Sequence, residues 1–301
     1  MEDAHIDRTL GPLLRPVTAA SAQKSRFEIG RIIGRGAFGT VHLANWKERK
    51  MQVAIKVIDL EKRSIEAAWR EVKIMGLFRH ANIVAQIAAF TVDQNLWLVL
   101  PYYEMGSCKD LLQYEPMKAG IKSNHTVATI LKFVLEGLSH LHRYGVAHKD
   151  IKAENILISV EGSIAIADFG IACESWEIRR NGTEHKATAK ARASSAQDSS
   201  YTSLKFEGTP YHMAPEIITG STQMTDIKHG RAPYEGEELI QVTKRIVHDP
   251  PPTAAYYRTT SKARSLFKFC KHYHQFVSTA LNKNANERPS ANAMLESRFI
   301  K

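Results

Sequence analysis

Residues 148–170 read HKDIKAENILISVEGSIAIADFG, and four polar side chains in this stretch follow the order that one kind of chemistry requires. Asp150, Lys152 and Asn155 share one short loop, and Asp168 opens the closing Asp-Phe-Gly. Phosphoryl transfer needs an acceptor for the proton of the attacking hydroxyl, a cation beside the moving phosphate and oxygen ligands for magnesium. In that order, Asp150 would accept the proton and Lys152 would offset the charge. Asn155 and Asp168 would hold the metal.

A β-hairpin is predicted between the loop and Asp168. Two apolar runs, Ile156–Ile158 and Ile164–Ile166, are the expected strands. Pairing of these strands would bring the Asn155 and Asp168 oxygens together from distant positions. An ordinary polar loop after a helix is the alternative for any single residue of the set, but the ordered spacing favours phosphoryl transfer.

HKDIKAENILI followed by ADFG resembles the eukaryotic protein kinases. Lys152, two residues after Asp150, is similar to the serine/threonine branch of that family rather than the tyrosine branch. DIKAENIL is typical of the sterile-twenty-like group, and with LWLVLPYYEMGSCKDLL the chain resembles its Fray and SPAK-like branch. A C-terminal docking domain often follows in that branch. Because this chain ends at Lys301, we expect none here.

The resemblance covers roughly residues 27–301 and implies a bilobal α+β protein-kinase fold. A small lobe of antiparallel strands with one helix, at residues 27–100, would precede a larger, mostly helical lobe at residues 101–301. The larger lobe would contain a long activation segment at residues 168–216. Residues 1–26 show no sustained hydrophobic period, and we expect a flexible arm there.

Composition is that of an ordinary globular protein. The chain has 301 residues, enough for one large domain or two lobes, with 44% apolar and 24% charged residues. The net charge of +10 suits a nucleic-acid partner, but no arginine-rich block or aromatic-basic repeat indicates one. Binding of ATP, binding of acidic peptides or no specific partner at all explains the positive net charge as well.

Cysteine usage and hydropathy indicate a cytoplasmic protein. Cys108, Cys173 and Cys270 are widely spaced and show no metal-ligand pattern, which is typical of a reduced intracellular compartment. The N-terminus lacks the apolar core of a signal peptide, and no apolar run is long enough to cross a bilayer. We therefore expect no membrane span.

A glycine-rich segment lies among three strands predicted over residues 27–58. Its glycines are Gly34, Gly36 and Gly39. A dinucleotide site would place such a pattern at the start of a helix, whereas here it lies between strands and is followed by Val41 and by VAIK, which ends at Lys56. Glycine lets the backbone close over phosphate oxygens. A glycine-rich hairpin without a ligand is the alternative.

The ammonium of Lys56 ends an apolar strand and needs a charge partner there. The next segment, SIEAAWREVKIMGL, has a helical period and offers Glu66 and Glu71. Glu71 precedes VKIMGLFRHANIV at a spacing similar to that of the kinase family. We therefore predict that Glu71 pairs with Lys56 and that Glu66 faces solvent.

The resemblance also assigns contacts to the adenine. Leu100 would be the gatekeeper beside the adenine pocket, at the end of two strands predicted in residues 83–100. Pro101 would offer its carbonyl and Tyr103 its N–H, in what is also the linker between the lobes. The other implied ATP-binding residues are Gly34, Arg35, Gly36, Ala37, Phe38, Gly39, Val41, Ala54 and Lys56.

Residues 174–207 form a polar segment rich in Ser, Thr, Lys and Arg. A loop this long inside a domain is usually functional or disordered. By resemblance it occupies the place of an activation loop, and an unmodified disordered insert is the alternative. Its candidate phosphoacceptors are Thr183, Thr188, Ser194, Ser195, Ser199, Ser200, Thr202 and Ser203.

The segment GTPYHMAPE resembles the loop that positions a peptide substrate in protein kinases. Thr209 is similar to the threonine that contacts the catalytic Asp and Lys. Glu216 would form a buried ion pair with Arg288, and loss of one partner of such a pair costs ~3–5 kcal/mol.

Two substitutions depart from the family pattern. Lys149 stands where kinases have the arginine of His-Arg-Asp, and a lysine offers a point charge in place of a planar fork. Lys205 stands where sterile-twenty-like kinases tend to have a threonine. We hypothesise that phosphorylation control is weak or relocated to Thr202 or Ser203.

A third departure is a missing segment. Where the family has a buried apolar helix, only Asp226, Ile227 and Lys228 join MAPEIITGSTQMT to HGRAPYEGEELIQV. The chain is shorter there by roughly a dozen residues, about three helical turns. Loss of about six buried residues would remove on the order of 10–20 kcal/mol of hydrophobic stabilisation. The free energy of unfolding of a typical domain is only ~5–15 kcal/mol. We expect the central helix of the larger lobe to be deleted near residues 226–230, because residues 237–248 resemble the following helix.

The favoured interpretation is an ATP-dependent serine/threonine protein kinase in intracellular signalling. ATP and Mg²⁺ are the implied cofactors, and a protein substrate and an upstream kinase are the implied partners, with no nucleic acid. An inactive, pseudokinase-like scaffold is the alternative that the missing helix and Lys149 favour. A kinase of small molecules is a third alternative, which the peptide-positioning segment disfavours.

Overall fold

The computed structural model of the chain describes residues 20–36, 39–114, 117, 120–174, 234, 236–252 and 270–301. These residues belong to two compact units. The first unit runs up to Arg79 and includes Val84–Tyr102, and the second contains His80–Ile83 and Tyr103–Lys301. Within the described part of the chain, no helix is both long and apolar enough to cross a membrane.

Both strands and helices occur, as the predicted α+β class requires. Strands β1 to β9 are Phe27–Gly36, Gly39–Trp46, Met51–Asp59, Ala88–Val92, Asn95–Pro101, Val146–Ala147, Ile156–Ile158, Ile164–Ile166 and Cys173–Glu174. Helices α1 to α7 are Ala20–Ser25, Ile65–Leu77, Cys108–Gln113, Asn124–Arg143, Leu239–His248, Lys271–Ala280 and Ala291–Leu295. A short 3₁₀ turn spans Ala153–Asn155.

An antiparallel sheet of the order β1-β2-β3-β5-β4 forms the first unit. Its five strands include the three predicted before residue 58 and the two predicted before residue 100. One face packs into a core of Phe27, Ala44, Val53, Ile55, Val92, Trp97 and Val99. Side chains alternate between the faces of a strand, so this pattern fixes the register of β3. The register aligns Gly34 with Val41, and Val41 with Lys56.

Gly39 lies at a point where β2 and β3 approach too closely for a side chain. A Cβ atom there would lie 1.9 Å from the Val57 carbonyl oxygen. At Gly36, by contrast, a Cβ would meet no heavy atom of the described residues within 4 Å. The two glycines of one motif therefore have different structural requirements.

We expect Gly39→Ala to lower the free energy of unfolding by ~1–3 kcal/mol, because the strands must separate to admit the methyl group. Thermal unfolding of the purified chain measures this change. Gly36→Ala is the matched control and should change stability by less than about 0.5 kcal/mol. Equal melting temperatures of the two variants would contradict the prediction.

Helix α2 has a polar start and one buried face. The Ser64 side chain accepts a hydrogen bond from the Ala67 N–H at 3.2 Å, which caps the first turn. The buried residues of the helix are Ala68, Glu71, Val72, Ile74 and Met75. Glu66 is exposed, as predicted. The helix therefore turns Glu71, and not Glu66, into the interior of the first unit.

Helix α4 is the longest helix of the second unit and packs against β8. Ser123 caps its start, accepting from the Thr126 N–H at 3.1 Å. Gly137 permits a close approach, because a Cβ there would lie 2.7 Å from the Asn82 carbonyl oxygen. The Asn82 amide group in turn donates to the Ile164 carbonyl at 2.9 Å. These contacts position the β7–β8 hairpin against α4. Both strands form at the predicted residues, and Ile156 pairs with Ile166.

Three predictions concern segments at or beyond the edges of the described residues. Helix α1 forms from the last residues of the arm predicted at residues 1–26, and Lys24 Nζ lies 5.9 Å from the centroid of the Trp97 ring. Helix α5 falls inside the range 237–248 that was predicted to be helical. Residues 226–230, where a helix is predicted to be missing, lie outside the described residues.

Candidate active site

The loop between β6 and β7 gathers two of the predicted catalytic side chains, Asp150 and Lys152, and the predicted magnesium ligand Asn155. Lys152 Nζ lies 2.7 Å from Asp150 Oδ2. Asn155 Nδ2 donates to the Asp150 backbone oxygen at 2.8 Å and to Oδ2 at 3.1 Å. The Asp150 side chain is only 12% exposed, so these polar contacts replace much of its hydration. The Asp150 carboxylate is therefore held in place by one cation and one amide.

His148 joins this loop to the Asp168 segment. Its Nε2 lies 3.0 Å from the Ala167 carbonyl, and its Nδ1 accepts the Asp150 N–H at 3.3 Å. Burial lowers the pKa of His148, which favours the neutral ring. A neutral ring with its proton on Nε2 satisfies both contacts. The ring also meets Phe169 edge-on, with centroids 4.8 Å apart.

Sequence reasoning assigned no role to His148. The only signal was its place at the end of an apolar run, VAH, directly before the charged Lys149. Through its two polar contacts, His148 connects the loop that contains Asp150 to the segment that precedes Asp168.

The two predicted magnesium ligands lie on connected segments. The Ala167 N–H donates to the Asn155 carbonyl at 2.8 Å, directly before Asp168. Asp168 is exposed and has a φ of +64°, a left-handed conformation that Asp tolerates better than most residues. Because the Asn155 amide nitrogen is used by Asp150, the amide oxygen is the atom suited to a cation. Oxygen atoms of these two kinds are the ligands that magnesium prefers, so the residues fit the metal.

The first unit holds the predicted partner of Lys56 and an additional cation. Lys56 Nζ lies 2.6 Å from Glu71 Oε1, so the structure forms the ion pair predicted from the sequence. Arg63 Nη1 lies 2.5 Å from Glu71 Oε2. Glu71 is 1% exposed. Sequence reasoning missed Arg63, which reads as one of several charges in the polar segment EKRS.

The nucleotide-binding residues predicted in the first unit lie on adjacent strands. The β3–β5 register pairs Ala54 with Leu100 and Val53 with Pro101. Arg35 is exposed in β1. Tyr103 belongs to the second unit, and burial raises the pKa of its phenol. Ala37 and Phe38 lie outside the described residues.

Several remaining predictions also fall on residues that are not described. These are Thr183, Thr188, Ser194, Ser195, Ser199, Ser200, Thr202, Ser203, Lys205, Thr209 and Glu216. Of the predicted Glu216–Arg288 pair, only Arg288 is described, and its Nε donates to the Asn282 carbonyl at 2.9 Å. Lys149, the substituted motif residue, has a φ of +68°.

Known proteins are similar in sequence to this chain over nearly its whole length. The protein kinase domain family matches residues 27–300. Serine/threonine-protein kinase ppk11 of Schizosaccharomyces pombe is 31% identical, over 93% of this chain and 83% of the relative. Germinal center kinase 3 of Caenorhabditis elegans is 30% identical, over 96% of this chain and 49% of the relative. Serine/threonine-protein kinase fray2 of Dictyostelium discoideum is 29% identical, over 92% of this chain and 26% of the relative.

The chain thus spans about a quarter to a half of two of these relatives and most of the third. The sterile-twenty-like relationship predicted from DIKAENIL is confirmed, and a Fray kinase is among the relatives. Kinases of this family use ATP with magnesium and act on protein substrates. The five-stranded sheet of the first unit and the helices of the second agree with the bilobal fold of such domains. The chain therefore belongs to the protein kinase domain family, as a serine/threonine protein kinase of the sterile-twenty-like group.

Proposed function

We propose that this chain transfers the γ-phosphate of ATP to serine or threonine hydroxyls of proteins, with Asp150 as the acceptor of the hydroxyl proton. The observation that supports this most is the contact of Asp150 with both Lys152 and Asn155, at 2.7 and 3.1 Å. A carboxylate held by two donors is oriented before a substrate binds. Positioning of the reacting groups is a main contribution of the protein to the catalysis of phosphoryl transfer.

Lys152 has two functions in this proposal. Its ammonium holds the Asp150 carboxylate in place, with Nζ 2.7 Å from Oδ2. The same ammonium offsets negative charge on the phosphate as it moves to the hydroxyl. Asn155 prevents the carboxylate from rotating, since its amide group donates to both the backbone and the side chain of Asp150.

Asn155 and Asp168 are the proposed magnesium ligands. Magnesium, when bound, neutralises phosphate charge during transfer. The hydrogen bond from Ala167 to Asn155 keeps the two ligand segments together, and the exposure of Asp168 leaves its carboxylate accessible. His148 supports the same arrangement from the interior.

Lys56 and the glycine-rich hairpin are the proposed contacts for the ATP phosphates. Glu71 holds the Lys56 ammonium, and Lys56 lies inside β3 rather than at the end of a strand as the sequence predicted. Backbone N–H groups of a glycine-rich segment suit phosphate oxygens because no side chain blocks the approach. Leu100, Pro101 and Tyr103 are the proposed contacts for the adenine.

The remaining proposals concern the setting of the reaction. We place the kinase domain at residues 27–301, with an arm at residues 1–26, and propose that it acts in the cytoplasm. The activation segment at residues 168–216 would be the target of an upstream kinase, at Thr202 or Ser203. The substrates are proteins with an accessible serine or threonine.

Thermal unfolding with and without Mg-ATP tests the nucleotide site. A ligand at 100 times its dissociation constant adds ~2.7 kcal/mol of stability to a folded protein. We expect Asp168→Asn to lose most of this gain, because a neutral amide oxygen binds magnesium more weakly than a charged carboxylate does. If the variant binds about 100-fold more weakly, the same concentration adds only about 0.4 kcal/mol.

Asp93→Asn is the matched control for Asp168→Asn. Both aspartates are exposed and have positive φ values, +52° and +64°, which asparagine also adopts readily. The control should retain the full Mg-ATP stabilisation. A parent chain whose melting temperature does not respond to Mg-ATP, or an equal response in Asp168→Asn, would contradict the proposed site.

A further inference from the structure

Two neighbouring cations between β3 and α2 have opposite surroundings. The Lys62 side chain is 71% exposed and pairs with Asp59 Oδ2 at 2.9 Å. The Arg63 side chain is 4% exposed and contacts the buried carboxylate of Glu71. Buried charges are rare in proteins unless they are paired, so the position of Arg63 calls for a reason that the position of Lys62 does not.

Arg63 contacts helix α2 at two points one turn apart. Nη1 lies 2.5 Å from Glu71 Oε2, and Nη2 donates to the Ala67 carbonyl at 3.3 Å. The planar guanidinium keeps its donors in a fixed geometry, which a lysine cannot reproduce. Arg63 therefore holds both the helical turn and the side chain that pairs with Lys56.

The two oxygens of Glu71 are divided between two cations. Oε1 contacts Lys56 and Oε2 contacts Arg63, at 2.6 and 2.5 Å. A fully buried carboxylate needs a donor for each oxygen, because no water compensates a missing one. If Arg63 were removed, both oxygens would compete for the Lys56 ammonium and draw it away from other anions.

We propose that Arg63 is a positioning residue for phosphoryl transfer: it occupies Glu71 Oε2, so that Oε1 holds the Lys56 ammonium in position for the phosphates of ATP. This inference rests on the proposed function of Lys56 as a phosphate contact. Arg63 acts through Glu71, so its effect on the reaction must depend on the presence of the Glu71 carboxylate.

A double-mutant cycle tests that dependence. Parent, Arg63→Met, Glu71→Gln and the double variant are compared by kcat and KM for ATP with a peptide substrate, and by the dissociation constant of Mg-ATP. We expect Arg63→Met to lower kcat/KM about tenfold, equal to ~1.4 kcal/mol, in the parent and less than about twofold beside Glu71→Gln. Arg63→Lys should lose less kcat/KM than Arg63→Met does, because lysine keeps the positive charge but lacks the planar set of donors that contacts both Glu71 and Ala67.

Lys62→Met is the matched control, with the same change of charge one residue away on an exposed side chain. It should leave kcat/KM and Mg-ATP binding unchanged. A purely structural role for Arg63 predicts lower melting temperatures for Arg63→Met with equal losses of kcat/KM in both backgrounds. That result, or no loss of kcat/KM in Arg63→Met, would overturn the proposal.

The same variants and measurements distinguish three further outcomes. If Arg63→Met does not fold, Arg63→Lys replaces it in the cycle, and additive effects of Arg63→Lys and Glu71→Gln overturn the proposal. If the parent binds Mg-ATP but does not phosphorylate the peptide, the proposed transfer fails while the binding cycle still tests Arg63. If the parent binds no Mg-ATP, the proposed function and the positioning role both fail.

Discussion

Asp150→Asn is expected to lower kcat by about 10²–10⁴-fold, the range in which a general base contributes to enzymatic rates. An asparagine keeps the size of the side chain but cannot accept a proton from the substrate hydroxyl. Its amide oxygen can still accept from Lys152 or Asn155, so the loop should retain its conformation. Initial rates of phosphate transfer to a serine or threonine peptide measure the loss.

Binding of Mg-ATP separates this result from misfolding. The Asp150→Asn variant should show the same Mg-ATP stabilisation as the parent, since Asp150 is not a proposed ligand of ATP or magnesium. Asp93→Asn, in the β4–β5 turn, removes the same charge and should keep full activity. Activity that persists in Asp150→Asn would mean either that another kinase in the preparation is responsible or that Asp150 is not the proton acceptor, and in both cases the assignment of Asp150 would lose its support.

Glu71→Ala is expected to destabilise the chain by ~3–5 kcal/mol, because it leaves the cations of Lys56 and Arg63 without their shared carboxylate. The larger part of this cost is expected at Arg63, because its side chain is 4% exposed and water cannot replace the lost carboxylate there. Truncation also removes buried volume from α2. Denaturant or thermal unfolding of the purified variant measures the loss of stability.

Glu66→Ala controls for the loss of a glutamate from the same helix. Glu66 is exposed in the first turn of α2 and interacts mainly with the helix dipole, so the expected loss is ~0.3–1 kcal/mol. Glu71→Ala should also weaken Mg-ATP binding if Lys56 contacts the phosphates, whereas Glu66→Ala should not. Equal destabilisation by the two substitutions would be incompatible with a buried network at Glu71.

Strands and helices were largely predictable because their signals are local. Apolar, β-branched runs separated by a polar turn define the β7–β8 hairpin, and the structure pairs Ile156 with Ile166 as that pattern requires. The helical period of SIEAAWREVKIMGL likewise predicts α2 nearly to the residue. Neither prediction needs a distant part of the chain.

The choice between Glu66 and Glu71 shows the limit of local patterns. Both lie on one predicted helix, and the resemblance to the kinases selected Glu71 through its spacing from VKIMGLFRHANIV. Burial of Ala68, Val72 and Met75 shows the physical basis, since these residues share the face of α2 that turns inward. Residue type alone does not distinguish the two glutamates.

The sequence by itself determined the order of strands and helices, the glycine-rich hairpin and the set Asp150, Lys152 and Asn155, because hydrophobic period and short spacing reside in neighbouring residues. Only the tertiary structure revealed the roles of His148 and Arg63. Both act by burial and by hydrogen bonds to groups 8 to 19 residues away in the chain. The free energy of a buried polar group depends on its surroundings in space, and these form only when distant parts of each unit have folded together.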